Sequence, residues 1–286
     1  MIGAVPRVVR SRTEVRSALA EARRPVGLVP TMGALHAGHA SLMRRARAEC
    51  ATVVVSIFVN PAQFETPSDL AAYPRSLHGD LEVCAAEAVD IVFAPTADEI
   101  YPSGAGTTVH PGSIADGLEG AARPGHFVGM ATVVAILLGL TGPERAYFGE
   151  KDGQQLRVVT RMVLDLGMPA TIVGCPTVRE PDGLAMSSRN SRLGTEDRAA
   201  APVLRRALLA ARERWLAGER DGAALRETMG RLLAGEPRAR VDYVSIADVG
   251  DLREVEGRAA GAVLCSLAAW FGEVRLIDNE TLPAAR

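Results

Sequence analysis

The sequence has few cysteines, few aromatic residues and almost no lysine. The four cysteines, at positions 50, 84, 175 and 265, are scattered along 286 residues, and none forms a metal-ligand pair with another. Aromatic residues make up 4% of the chain, and its basic residues are almost all arginine. We therefore expect buried free thiols, as in a cytoplasmic protein.

Long hydrophobic runs and a surplus of one charge are missing as well. The runs "VVVSIFV" and "ATVVAILLGL" fall short of the roughly 18 residues of a membrane span, and Met1–Arg10 has no apolar segment of signal-peptide length. The net charge of −2 gives no general attraction to nucleic acid or to an acidic membrane. We expect neither as a partner, so local groups must hold any anionic ligand.

Apolar strand-like runs alternate with helix-like segments over the first two thirds of the chain. The predicted strands are Val26–Val29, Val53–Val59, Ile91–Ala94, Arg145–Phe148 and Ala170–Val173, and the predicted helices are Ser41–Ala51, Asp80–Ala88, Val128–Leu140 and Gln154–Leu166. The strands at Val53 and Ile91 are continuously apolar, as in a parallel sheet covered by helices on both faces. The pattern predicts a doubly wound α/β domain over residues 1–177.

The pattern changes after about Thr177. Helices are predicted at Thr195–Leu216 and Ala223–Ala234, followed by strands at Val241–Ala247, Ala262–Ala268 and Glu273–Ile277. Helices followed by a run of strands indicate a smaller α+β domain over residues 178–286.

Two of the five histidines, His36 and His39, stand in "PTMGALHAGHASL", where a predicted strand leads into a helix. Ligands of open α/β sheets bind at such places, beside helix N-termini that attract anions. Gly33 and Gly38 would let the backbone approach a ligand closely. As metal ligands the histidines lack an obvious third partner. As hydrogen-bond donors they would stabilise charge that develops on a phosphate.

Three further segments carry polar groups that suit a nucleotide and a small polar substrate. In "FGEKDGQQ", Lys151 is the only lysine of the chain, which suggests that a compact point charge is needed there, with an ordinary surface lysine as the alternative. The segment "GLAMSSRNSRL" offers serines and arginines for a phosphate clamp, although it could be an ordinary polar loop. In "SIFVNPAQF", Asn60 and Gln63 can bind hydroxyl and carboxylate oxygens, with Gln155 as a third amide; turn capping is the alternative for Asn60.

Taken together, the motifs resemble the pantothenate synthetase (pantoate–beta-alanine ligase) family. They appear in the family's order from about Val26 to Asn279, and they are "PTMGALHAGHASL", "VVSIFVNPAQF", "AAYPRSLHGDL", "FAPTADEIYP", "LEGAARPGHFVG", "FGEKDGQQL", "PTVREPDGLAMSSRN" and "RLIDN". The resemblance implies a Rossmann-like, nucleotidyltransferase-like (HxGH) domain with a C-terminal lid. It also implies a two-step reaction, in which (R)-pantoate and ATP form pantoyl adenylate and beta-alanine then yields pantothenate and AMP.

The resemblance assigns roles to matched positions. His39, the proton donor, His36 and Lys151 would be catalytic. The ATP-binding residues would be Met32, Gly33, Ala34, Leu35, His36, Ala37, Gly38, His39, Gly149, Glu150, Lys151, Asp152, Val178, Met186, Ser187, Ser188 and Arg189. Gln63 and Gln155, with Asn60 and His126, would bind pantoate, and Gln63 would also position beta-alanine.

The resemblance further implies Mg²⁺ with ATP and a homodimer. Asp80 is the one proposed protein contact to the metal, because Gly79 replaces an acidic residue that is frequent in the family and Val83 replaces a polar one. Ala62 and Gly153 also depart from the family pattern, where methionine and an aromatic residue are common.

Two alternatives stay open at this stage. A nucleotidyltransferase would share "HAGH" and the serine–arginine loop, but a phosphorylated acceptor would favour arginines in place of Gln63 and Gln155. A non-catalytic nucleotide-binding module would not require the histidines, Lys151 and both glutamines together.

Overall fold

The computed structural model describes residues 5–64 and 66–284, except for the side chains of residues 67–69. The chain forms two compact units. The first comprises residues up to Gly112 with Ala122–Gly149 and Val158–Cys175, and the second comprises Ser113–Ala121, Glu150–Arg157 and the chain from Pro176 onward. The main division lies two residues from the predicted boundary at 177/178, but the sequence pattern gave no sign that two short earlier segments belong to the second unit.

The first unit is built on a six-stranded parallel sheet in the order β1-β4-β3-β2-β5-β6. The strands are β1 (Arg7–Val9), β2 (Val26–Thr31), β3 (Thr52–Ile57), β4 (Ile91–Phe93), β5 (Arg145–Gly149) and β6 (Thr171–Cys175). Strands β2 to β6 are the five predicted ones. Strand β1 was not among the predicted strands; its three residues pair with β4 from Arg7↔Ile91 to Val9↔Phe93.

Helices connect these strands. They are α1 (Arg12–Ala20), α2 (Ala37–Glu49), α3 (Pro67–Ala72), α4 (Leu77–Ala86), α5 (Ala97–Ile100), α6 (Glu119–Ala122), α7 (His126–Thr141) and α8 (Gly153–Asp165). One side of the sheet forms a core in which Met43 and Ala46 of α2 and Cys84 of α4 pack with Val55 and Tyr147. In the part of the chain that the structure describes, no helix combines the length and apolar character needed to span a bilayer.

The second unit contains an antiparallel sheet of β7 (Ala239–Asp248), β8 (Val263–Phe271) and β9 (Val274–Leu282), in that order. Its helices are α9 (Thr195–Ala200), α10 (Val203–Leu216) and α11 (Gly222–Ala234). The helix predicted over Thr195–Leu216 is therefore divided, because Pro202 has no N–H with which to donate a helical hydrogen bond. The core packs Leu208 and Trp215 of α10 and Leu225 of α11 with Phe271 of β8.

The four cysteines are buried and free, as predicted. Burial raises the pKa of the Cys84 thiol to about 12, and it raises that of Cys265 to about 12 as well. Neither thiol is therefore ionised near neutral pH, and both act as small apolar core groups.

The order of the parallel strands places the histidine turn at a point of topological reversal. From β2 the chain proceeds outward through β3 to β4, whereas β5 and β6 lie on the other side of β2. Ligands of such sheets bind beyond the carboxyl ends of the strands at this reversal. The segments after Thr31 of β2 and Ile57 of β3 emerge at that edge, and β5 ends there at Gly149.

Candidate active site

The turn between β2 and α2 holds the two histidines through backbone hydrogen bonds. His36 is the N-cap of α2, and its Nδ1 accepts from the Gly38 amide at 3.1 Å. The His39 Nδ1 accepts in turn from the His36 amide at 3.3 Å. The two rings lie with their centroids 4.2 Å apart. The two histidine side chains therefore lie next to each other, and their convergence on one ligand group stays a prediction.

These hydrogen bonds define the tautomer of both imidazoles. A ring nitrogen that accepts from an amide carries no proton, so in the neutral ring the proton is on Nε2. Both histidines then have an Nε2–H donor at the far end of the ring. Gly38 is needed for this arrangement, since a Cβ there would lie 2.8 Å from the His36 Cε1. It makes room for the His36 ring, a use that the spacing alone did not indicate.

Asp80 anchors the loop that precedes His36. Its Oδ1 accepts from the Leu35 amide at 2.7 Å and its Oδ2 from the Ala34 amide at 3.2 Å. Gly33 adopts a φ of +84°, and a Cβ at that position would lie 2.8 Å from the Asp80 Oδ2. Ala34 follows with a φ of +51°. Asp80 is only 3% exposed, so its carboxylate stabilises an unusual loop conformation from within the protein.

Asn60, Gln63 and His126 form a second polar group in the same unit. Asn60 is the N-cap of the short 3-10 helix Pro61–Gln63, and its Nδ2 donates to the Gln63 Oε1 at 2.9 Å. The Gln63 carbonyl accepts from His126 Nδ1 and from an Arg123 Nη2, each at 3.1 Å. The structure thus brings these three predicted residues together and adds Arg123, which lies in the motif "LEGAARPGHFVG" but was assigned no role.

In the second unit, Gln154 and Gln155 have separate environments. Gln154 is 5% exposed, and its Nε2 donates to the carbonyls of Ile114 at 3.1 Å and Gly117 at 2.9 Å. Its Oε1 accepts from the Glu119 amide at 2.9 Å. Gln154 therefore holds the segment 113–121, whereas its neighbour Gln155, the predicted ligand, is only half-buried.

Lys151 lines a pocket within the second unit together with Ser187, Arg189, Arg275 and Asp278. The Lys151 Nζ lies 3.3 Å from the Asp152 Oδ1, and its carbonyl accepts from Asn279 at 2.7 Å. Among the residues that the structure describes, no carboxylate lies within ion-pair distance of Arg189. The pocket combines a lysine, arginines and a serine hydroxyl, which together suit an anion.

Backbone hydrogen bonds order the segment around Ala185 and Ser187, two residues that line this pocket. The Met186 amide donates to the Val178 carbonyl at 3.0 Å, and Arg179 pairs with Ala185 in an isolated antiparallel bridge. Ser187 then caps a short 3-10 helix, Ser188–Arg192, by accepting from the Arg189 amide at 3.2 Å.

Arg275, which lines the pocket, belongs to an ion-pair network that was not predicted from the sequence. The Arg275 guanidinium donates to both Glu119 oxygens, at 2.8 and 2.9 Å, and its Nε donates to Asp242 at 2.8 Å. Burial disfavours the charged form of Arg275, but the hydrogen bonds and charges of Glu119 and Asp242 outweigh burial and raise its pKa. Burial, with the charge of Glu119, also raises the pKa of Tyr243, which donates to Glu119 at 3.0 Å. In the sequence, Arg275 stands in the motif "RLIDN" and Glu119 in "LEGAAR", and these motifs were the only indication of the network.

The residues that the structure describes do not form a preformed metal site. Both Asp80 oxygens accept backbone amides, and the described part of the chain has no group of three or more His, Cys, Asp or Glu side chains suited to a metal ion. Mg²⁺ that accompanies a nucleotide usually takes only one or two protein carboxylates and completes its coordination with phosphates and water. The metal contact predicted for Asp80 stays a prediction.

Fold and geometry together define a class. A parallel α/β sheet carries neutral imidazole donors at its topological reversal, and a second unit carries a cationic pocket. Such a sheet, with hydrogen-bond donors and cations of this kind, is typical of enzymes that bind the phosphates of a nucleotide.

The particular family follows from comparison with known proteins. The profile of the family described as pantoate-beta-alanine ligase matches residues 7–281. The chain is 56% identical over 278 residues to the pantothenate synthetase of Roseiflexus sp. (strain RS-1), a match that covers 97% of this chain and 100% of that protein. The chain belongs to the pantoate–beta-alanine ligase family, and it is a ligase of pantothenate biosynthesis that uses a nucleotide.

Solved structures agree in fold. The pantothenate synthetase of Thermus thermophilus shares 49% identity with a TM-score of 0.90, over 96% of this chain and 98% of that one. The pantoate-beta-alanine ligase from Francisella tularensis shares 35% identity with a TM-score of 0.77, over 96% and 97% of the two chains. That structure is a complex with beta-gamma ATP and beta-alanine. The predicted Rossmann-like fold with a smaller C-terminal α+β part is confirmed.

Proposed function

We propose that this chain condenses (R)-pantoate with beta-alanine through a pantoyl-adenylate intermediate. In the first step a pantoate carboxylate oxygen attacks the α-phosphorus of ATP, and the bond to pyrophosphate breaks. In the second step the beta-alanine amine attacks the activated carbonyl, the C–O bond to AMP breaks, and the amine loses its proton. The difficult event is the approach of an anion to a polyanion, so catalysis rests on positioning and on stabilising charge.

The observation that carries this proposal is the histidine turn. Both Nδ1 atoms accept backbone amides, which leaves Nε2–H as the donor of each neutral ring. We assign these donors to the ATP phosphates, with His39 as the proton donor. Backbone atoms of residues 32–39 complete the first ATP-binding segment at the N-terminus of α2, where the helix dipole favours an anion.

The second unit supplies positive charge in this proposal. Lys151 acts on the phosphates and Asp152 binds near the ribose, within the ATP-binding segment 149–152. Val178 contacts the adenine through its backbone, and Met186–Arg189 bind the triphosphate. The support is the pocket of Lys151, Ser187, Arg189 and Arg275, in which Arg189 has no carboxylate partner among the described residues.

In this proposal, uncharged side-chain amides bind pantoate, whose carboxylate attacks ATP. We assign Gln63 and Gln155 to pantoate and Gln63 also to beta-alanine, with Asn60 and His126 in the same pocket. Amides orient a carboxylate without neutralising it, so its nucleophilic oxygen keeps its charge. Mg²⁺ would accompany ATP and partly neutralise its phosphates. Magnesium, the homodimer and the cytoplasmic location stay predictions.

Product analysis tests the function. The protein is incubated with pantoate, beta-alanine, ATP and Mg²⁺, and mass spectrometry follows all products. We expect pantothenate, AMP and pyrophosphate in equal amounts, and an adenylate when beta-alanine is omitted. Formation of ADP and phosphate would show that the acid is activated as an acyl phosphate, and a dinucleotide-like product would indicate a nucleotidyltransferase.

A further inference from the structure

Asn60 uses all of its hydrogen-bonding capacity within the protein. Its Oδ1 accepts from the Tyr101 hydroxyl at 2.8 Å and from the Ala62 amide at 3.3 Å. Its Nδ2 donates to the Gly129 carbonyl at 3.1 Å and to the Gln63 Oε1 at 2.9 Å. A primary amide offers two acceptor and two donor positions, so this set satisfies Asn60 completely. The residue is 1% exposed and has no group left for a substrate.

Backbone groups fix the direction of this hydrogen-bond chain. The Ala62 N–H can only donate and the Gly129 carbonyl can only accept, so the Asn60 amide cannot be reversed without losing both bonds. Tyr101 must then be the donor to Oδ1. Burial raises the pKa of its phenol, which keeps the proton in place near neutral pH. At the other end, the Gln63 Oε1 must accept, which leaves the Nε2 of Gln63 with two donors.

We propose that Tyr101 is a positioning residue that acts through Asn60 and holds Gln63 with its Nε2–H donors toward the substrate. The group bound by Gln63 is then an acceptor oxygen, either a pantoate hydroxyl or carboxylate or the beta-alanine carboxylate, and not an ammonium group. Asn60 then supports Gln63 and does not itself contact the substrate. This differs from the prediction that Asn60 is a pantoate ligand. This inference rests on the proposed function.

The first test replaces Tyr101 by phenylalanine. Losing a hydrogen bond to a buried amide should raise the KM for pantoate by about tenfold, with the KM for ATP changed by less than about twofold. In a Gln63→Ala background the same substitution should have no further effect, because its action passes through Gln63. Tyr147→Phe is the matched control: it removes a buried hydroxyl that donates to Glu49 at 3.0 Å, and the pantoate KM should not change.

A second variant tests the polarity of Gln63 without depending on Tyr101. Gln63→Glu keeps an oxygen that can accept from Asn60 but replaces the outward donor by an anionic acceptor. We expect kcat/KM for pantoate to fall about 100-fold or more, and ATP binding, measured by calorimetry, to stay within about twofold. Thermal melting of each variant identifies a folding defect.

The outcomes separate the inference from the proposed function. If Gln63→Glu works as well as the native chain, or if Tyr101→Phe acts additively with Gln63→Ala, the positioning role is wrong although pantothenate is still made. If the native chain makes no pantothenate, the proposed function itself fails.

Discussion

The two groups of proposed ligand-binding residues hold their polar atoms in opposite ways. In the first unit, His36 and His39 accept hydrogen bonds from backbone amides, and Gln63 is held by Asn60, which itself bonds to a backbone amide and a backbone carbonyl. In the second unit, the pocket is lined by the cations Lys151 and Arg275, which are balanced by carboxylates of Asp152, Glu119 and Asp242.

This difference indicates that the two groups have different roles, namely alignment of the reacting groups in the first unit and neutralisation of charge in the second. Backbone-held neutral donors lose little freedom on binding and keep their direction, so they suit the precise alignment of the reacting phosphate and of the acid that attacks it. Cations suit the neutralisation of phosphates, and their effect on exposed ligands weakens as salt screens it. Salt dependence is therefore the property that should distinguish variants of the two groups.

The largest effect is expected for His39→Ala. Removing a donor that acts on developing charge should lower kcat by roughly 10² or more with a modest change in ATP affinity, at low and high salt alike. Steady-state kinetics at both salt concentrations measure this. In His39→Asn the new side chain can still accept from the His36 amide but has no imidazole. This variant therefore shows how much of the loss comes from the missing hydrogen bond within the turn and how much from the missing imidazole. The exposed His78 provides the control substitution, and a turnover of His39→Ala equal to that of the control would remove its role.

A smaller effect that depends on salt is expected for Lys151→Gln. The loss of a charged hydrogen bond should lower kcat/KM for ATP by roughly 10- to 100-fold, and added salt should narrow the gap to the native chain. Arg206→Gln, at an exposed position of α10, removes the same charge elsewhere and should leave the kinetics unchanged. If the loss of kcat/KM for ATP in Lys151→Gln is the same at low and high salt, Lys151 does not act through its charge, and the proposed difference between the two groups of residues is wrong.

The smallest effect is expected for Asp80→Asn, which weakens the support of the histidine turn. One amide would lose its carboxylate partner, and we expect kcat to fall by roughly tenfold and the melting temperature to drop. The magnesium concentration for half-maximal activity should not shift if the role of Asp80 is to hold this turn, where each of its oxygens accepts one backbone amide. Asp98→Asn, at an exposed position, is the control. A shifted magnesium requirement would support the earlier metal assignment.

The sequence predicted what depends on local patterns. Apolar runs predicted strands β2 to β6, and the histidine spacing placed His36 and His39 on one side of the turn, where their ring centroids are 4.2 Å apart. Strand β1 was missed because three residues are too few for a pattern. The capping box of Ser11 and Glu14 at the start of α1 was a readable signal that went unused.

Contacts between distant residues could not be predicted in the same way. Tyr101 and Asn60 are 41 positions apart, Asp80 and Ala34 are 46 apart, and Arg275 and Glu119 are 156 apart. Their partners are backbone atoms or single side chains, and neither leaves a periodic trace in the sequence. Family resemblance assigned ligand roles to some of these residues, but it did not indicate which ones support others.

The central claim is that the carboxylate of pantoate attacks the α-phosphorus of ATP. The most direct measurement uses pantoate labelled with ¹⁸O at both carboxylate oxygens, with beta-alanine, ATP and the native chain, and mass spectrometry of the products. The account predicts one ¹⁸O in AMP and one in the amide carbonyl of pantothenate. Unlabelled AMP, or ¹⁸O found in inorganic phosphate beside ADP, would contradict it.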